Sequence, residues 1–183
     1  MSNSAKLLLL AIAAFALTIF SPSASGSVQR KPPSAQVATQ LDLAKQQAFE
    51  LARDADEMTG LIHNDVSWQS HADVLNRIRD HVNNMGTIVE KLESERDEAS
   101  PWQRQAIDRM APLLKEIASN TTAAIEHINQ NHLRPVSEDY KSYLQENADT
   151  AHELADMISS FEQYDRTRTK LEKLQDKIEV TSE

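Results

Sequence analysis

The chain has 183 residues, with 19 Lys and Arg against 28 Asp and Glu, a net charge of −9 and no cysteine. So acidic a balance is poorly suited to gripping phosphate backbones, because that binding rests on clustered Lys and Arg releasing counterions; nucleic acid and anionic membrane surfaces are set aside as partners. The lack of Cys excludes disulfides, thiolate metal sites, a Cys nucleophile and Cys-anchored haem, and only three glycines leave too few positive-φ positions for the tight turns of an all-β fold.

The chain opens with a short segment bearing one charge, Lys6, followed by the uncharged run Leu7 to Phe20. Ser21-Pro22 breaks the run and Ser23-Ala24-Ser25-Gly26 supplies small residues for cleavage. This order predicts a secretory signal peptide over residues 1–26. Fourteen helical residues would span about 21 Å, short of the ~30 Å hydrocarbon core, which argues against a retained anchor. The expected product is exported, periplasmic or extracellular, with no membrane span after cleavage. Losing Lys6 would leave 18 basic against 28 acidic residues. Residues 27–34 contain two prolines and no periodicity, and are expected to form a flexible arm. Residues 35–183 are expected to form the folded domain.

Ser34 is placed to cap a first helix. Val37, Leu41, Ala44, Ala48, Leu51, Ala55, Met58 and Ile62 then follow one another at alternating steps of four and three. That spacing puts all of them on one stripe of a helix, the seam along which it packs on others. After a turn over 64–67, with Ser67 as cap, a second seam runs through Trp68, His71, Leu75, Ile78, Val82, Met85, Val89 and Leu92. Only His71 interrupts its apolar character. The mixed-sign run Glu90 to Glu98 reads as a solvated helix face.

Ser100-Pro101-Trp102-Gln103 is the clearest local signal: a capping Ser, a Pro at the first helical position and a Gln that closes a capping box. The third helix carries Ile107, Met110, Leu114, Ile117, Thr121, Ala124 and Ile128 in register. Pro112 lies inside it and is expected to bend it. Gly86 stands at the same height in the preceding helix and is expected to make room for that bend. Ser137-Glu138-Asp139 opens a fourth helix, with two carboxylates at the positive end of its dipole. Its seam is Tyr140, Leu144, Asn147, Ala151, Leu154, Ile158 and Phe161. A three-residue slip follows, after which Tyr164, Thr167, Leu171, Leu174 and Ile178 continue the apolar spacing. Such a slip locally overwinds a coiled coil.

Four amphipathic helices on short turns predict an all-α, antiparallel up-down-up-down four-helix bundle. The fourth helix, at about 44 residues, should overhang the others as an elongated, coiled-coil-like extension.

No catalytic constellation accompanies this pattern. None of the six histidines has a Glu three residues before it, so the di-metal Glu-x-x-His bundle is excluded. His-Glu-x-x-His, EF-hand, Walker and Gly-x-Ser-x-Gly sequences do not occur. Hairpin register places His71 level with His127, near Met58 and Tyr140, with His63 and His132 beside the loops of the same end. Two imidazoles on adjacent helices suit Zn²⁺ or Cu²⁺ if Glu126 or Asp56 completes the shell. The plainer alternative is a polar layer in which His71 bonds Tyr140 or a backbone carbonyl. No catalytic, cofactor-binding or metal-ligating residue is assigned, and no cofactor is expected. The expected role is a non-enzymatic interaction or structural module of the cell envelope, with an unknown protein partner or weak self-association through the C-terminal helix. The alternative role is a metal- or cofactor-binding bundle using His71 and His127.

Overall fold

The computed structural model describes residues 31–64, 66–132 and 136–180. The expected signal peptide lies outside the described residues, as do the first four residues of the expected arm. Four helices follow in chain order: α1 (Ala35–Leu61), α2 (Trp68–Ser94), α3 (Pro101–Gln130) and α4 (Glu138–Val180). A single 3-10 turn, Arg96–Glu98, joins α2 to α3. The run from Glu90 therefore leaves the α-helix at Ser94 instead of continuing as one helix face. Among the described residues no helix is long and apolar enough to cross a membrane.

Serines start the helices. The Ser34 hydroxyl accepts from the Val37 amide at 3.4 Å, Ser67 from Ser70 at 3.4 Å and Ser137 from Tyr140 at 3.2 Å. Each satisfies an amide that the first helical turn leaves unpaired. At α3 the Ser100 amide donates to Gln103 Oε1 at 2.9 Å, the Gln arm of the expected box.

The order of partners fixes the topology. Along α1, Lys45 meets Glu162 and Asp56 meets His152, so α1 and α4 run antiparallel. Gln47 with His81 and Asp54 with Arg77 show the same for α1 and α2. Glu116 with Thr150 and Thr121 with Asn147 show it for α3 and α4. Each helix packs on its two neighbours around a square. The bundle expected from the seams is the fold observed, and the seams from Val37 to Met58, His71 to Leu92, Ile107 to Ile128 and Tyr140 to Ile158 form most of its core, joined by off-seam residues such as Ala52, Val74, Ala106 and Met157.

Gln103, fully buried, ties one end of this square together across its diagonal. Its Oε1 accepts from the Ser34 amide and its Nε2 donates to the Ser34 carbonyl, both at 2.9 Å. One side chain thus satisfies the starts of α1 and α3 at once. Lys31 Nζ reaches the Asp97 carbonyl at 2.5 Å, so residues 31–34 of the expected arm are held against the α2–α3 connection.

Pro112 is exposed, and α3 is helical on both sides of it. A Cβ added at Gly86 would meet nothing within 4 Å. No neighbour leans into that glycine, so the expected accommodation of a bend is not what the residue provides.

The fit of the seams makes a direct prediction. Ile78 is 0% exposed, and Ile78→Asp would seat an unpaired charge in that core. The cost is several kcal/mol, against a total stability of about 5–15 kcal/mol for a domain of this kind. Loss of the cooperative thermal transition, followed by circular dichroism, is the expected result. A transition near the wild-type temperature would contradict the assigned seam.

Candidate functional site

The structure brings the predicted histidines to one end, and Tyr140 is the residue they share. Tyr140 and His71 are both 0% exposed. Tyr140 enters from the first turn of α4, where Ser137 caps the helix and fixes the ring's height. His71 enters from the first turn of α2, behind the Ser67 cap. His71 Nδ1 and Tyr140 Oη lie 3.2 Å apart, a buried hydrogen bond whose direction depends on the imidazole tautomer. His127 stacks on the Tyr140 ring with centroids 5.1 Å apart and planes 20° from parallel. Its Nε2 lies 3.4 Å from Ser137 Oγ. Farther out, His132 stacks on Trp68 at 4.1 Å.

His71 and His127 therefore share a level, as the hairpin register required, but both address Tyr140. Asp56, one of the carboxylates considered for a metal shell, faces His152 at 3.0 Å instead. Among the described residues no group of three or more His, Cys, Asp or Glu is arranged to hold a metal ion. The observed arrangement is the polar layer with a His71–Tyr140 bond.

Burial governs the chemistry of that layer. It pushes the His71 imidazole below its ordinary pKa, because a charged ring would lose its hydration. It pushes the Tyr140 phenol above its ordinary range for the same reason. Both groups are accordingly held neutral.

A second polar feature escaped the reading of the seams. Asp54 is 1% exposed, on the α1 face toward α2, and its carboxylate meets Arg77 at 3.1 Å, Arg53 at 3.2 Å and His81 Nε2 at 3.5 Å. His81, which lies off the α2 seam, also bonds Gln47 at 3.2 Å. The available signal was Asp54 and Arg77 at matching heights in the α1–α2 hairpin with opposite charge. An acid one position from a seam Ala gives no apolar mark of its burial.

The remaining candidate is the outer face of α4. Ile158 is 1% exposed and ends the buried seam. Phe161 is half-buried, and then Tyr164, Leu171, Leu174 and Ile178 are 51%, 57%, 46% and 69% exposed. The three-residue slip explains the change. At about 100° per residue, two successive steps of three rotate Tyr164 roughly 120° away from Ile158, and Leu171, Leu174 and Ile178 lie roughly 140–160° away from it. The positions in phase with Ile158 are filled by Glu162, Asp165, Thr169, Glu172 and Asp176. Glu162 and Lys45 pair at that edge of the core. The apolar stripe thus leaves the core-facing side and turns to the outer side of α4. Its first residue, Tyr164, also lines a 740 Å³ groove between the start of α3 and α4. With 43 residues against 27, 27 and 30, α4 also outruns its neighbours by about 20 Å or more.

No family model, curated protein or solved structure matches this chain.

The polar layer yields a pH prediction. A folded-state His pKa below the unfolded value of about 6.5 means that the unfolded chain takes up the proton first. The contribution of neutral His71 is complete above that value and declines as pH falls through it toward the lower folded pKa. Thermal stability of the wild type is expected to drop between pH 7.5 and pH 5, and His71→Leu is expected to lessen the drop. At pH 7.5 the same substitution strands the buried Tyr140 hydroxyl, a loss of about 1–3 kcal/mol, and adding Tyr140→Phe recovers part of it. An unchanged pH profile in His71→Leu would contradict this account.

Proposed function

We propose that this chain is a non-enzymatic helical interaction module, exported to the cell envelope, that works through the projecting C-terminal half of α4. The observation that carries the reading is the switch in exposure along one continuous helix: the seam of α4 is buried to Ile158, and the apolar residues after Phe161 face water. Scattered exposed apolar side chains are ordinary, but a stripe at helical spacing on a projecting helix is a surface suited to a second helix. Its flanks are charged with both signs: Lys170, Lys173 and Lys177 alongside Glu172 and Asp176. Such a flank keeps the exposed stripe soluble and leaves apolar contact to supply the association.

The stripe is short, only about two heptads, so association through it is weak and concentration-dependent. The partner is a helix of another protein or the same segment of a second copy. Export rests on the N-terminal sequence pattern, and the non-enzymatic reading rests on the lack of any catalytic motif in the sequence.

Sedimentation of the exported chain, and of a version ending at Arg166, tests the reading. The longer chain is expected to gain mass as concentration rises, and the shorter one to remain monomeric with unchanged thermal stability, since the removed side chains are mostly exposed. If both stay monomeric, and envelope proteins are retained equally by both on a column, the projecting helix is not the working surface.

A further inference from the structure

The groove between the start of α3 and α4 has a composition that the bundle itself does not require. Trp102, Met157, Phe161 and Tyr164 supply an apolar wall, and Arg109 and Arg168 supply the charge. No carboxylate among the described residues lines it, in a chain where acids outnumber bases by 28 to 19. Its volume, 740 Å³, lies in the range of about 300–1,000 Å³ that suits small-molecule sites.

The two arginines are not equivalent. Arg168 is engaged by Asp165 at 3.0 Å and Glu172 at 3.6 Å. Arg109 lies 5.9 Å from the Phe161 ring centroid and makes no ion pair among the described residues. A guanidinium over an aromatic face is oriented without being neutralised, so it keeps its charge available at the rim of an apolar wall. Trp102 is 6% exposed, and its indole N–H is buried without a hydrogen-bond partner among the described residues. The wall of the groove thus contains an unanswered cation. Pro101 fixes the start of α3 and the Gln103 tie holds that end against α1, so the Trp102 side of the wall is rigid.

We propose that this groove binds a free single-chain carboxylate, an apolar tail lying along Trp102, Met157, Phe161 and Tyr164 with its carboxylate at Arg109. The tail removes the aromatic wall from water, and the carboxylate answers the Arg109 charge in a geometry that guanidinium matches with two parallel hydrogen bonds. The inference is independent of the projecting stripe. It requires the start of α3 and the segment from Met157 to Tyr164, and none of the residues beyond Arg168.

Decanoate is a suitable probe. Calorimetric titration of the full chain is expected to show one saturable site. The same titration should change Trp102 fluorescence in a Trp68→Phe chain, where Trp102 is the remaining indole. Arg109→Gln is expected to weaken decanoate about tenfold, near 1.4 kcal/mol, while leaving the melting temperature unchanged because Arg109 is exposed. Uncharged 1-decanol should bind about as weakly to the wild type as decanoate does to Arg109→Gln. The proposal is overturned if decanoate shows no saturable binding, if Arg109→Gln or removal of the ligand's charge makes no difference, or if the chain binds anionic phospholipid vesicles but not monomeric decanoate.

Discussion

The phase of the apolar residues on α4 decides what is core and what is surface in this molecule. From Tyr140 to Ile158 they stay in step with the seams of α1, α2 and α3, and each is removed from water. Two successive steps of three around Phe161 take them out of step. The helix continues without interruption, but its apolar side now points away from the core, and its core-facing side is charged. The end of the hydrophobic core, the open groove at the start of α3 and the exposed stripe beyond it all follow from that single change of register. A continuous four-three repeat would instead have carried the apolar face on over the bundle axis.

Within the core, a few polar groups fix which of several sliding arrangements is adopted. Leucine, isoleucine and alanine seams tolerate displacement along the helix, since any apolar residue fills a gap left by another. The His71–Tyr140 bond, the Asn147–Thr121 bond at 3.1 Å and the Gln103 clasp on Ser34 do not. Moving a helix by one turn would leave these groups buried and unbonded, at a cost of about 1–3 kcal/mol each. Two of the three run across the diagonals of the square, α2 to α4 and α1 to α3. They tie pairs of helices that share no extended interface. Asp54 adds a charged version at the α1–α2 seam, where burial is tolerable because Arg77 and His81 reach it.

Much of this architecture was legible from residue spacing, because heptad seams and serine caps are local patterns with direct structural meaning. Ser34 and Ser67 cap where their positions said they should, Ser137 caps the helix it was read to open, and His71 sits level with Tyr140 because helical rise is constant. The histidine end was legible as a place and less so as chemistry: register gives height along the bundle, while the bearing of each ring around its helix decides whether two imidazoles meet each other or both meet Tyr140. Gln103 was read for its local box, but its bonds to Ser34 join residues 69 apart and leave no trace in spacing. Pro112 invited a partner at Gly86, yet the proline faces solvent and the glycine has open space beside it. The slip near Phe161 was visible as a break in rhythm. Its consequence, a stripe turned away from the bundle, appears once the rotation is followed residue by residue.

Amide hydrogen exchange, resolved along α4 at a concentration where the chain is monomeric, tests the change of register most directly. If the core ends where the apolar phase changes, amides from Leu144 to Ile158 exchange only through global unfolding, and those from about Thr169 onward exchange through local fraying, orders of magnitude faster. Uniform, near-global protection through Ile178 in the monomer would contradict the account, because it would require the later stripe to be packed on the bundle after all.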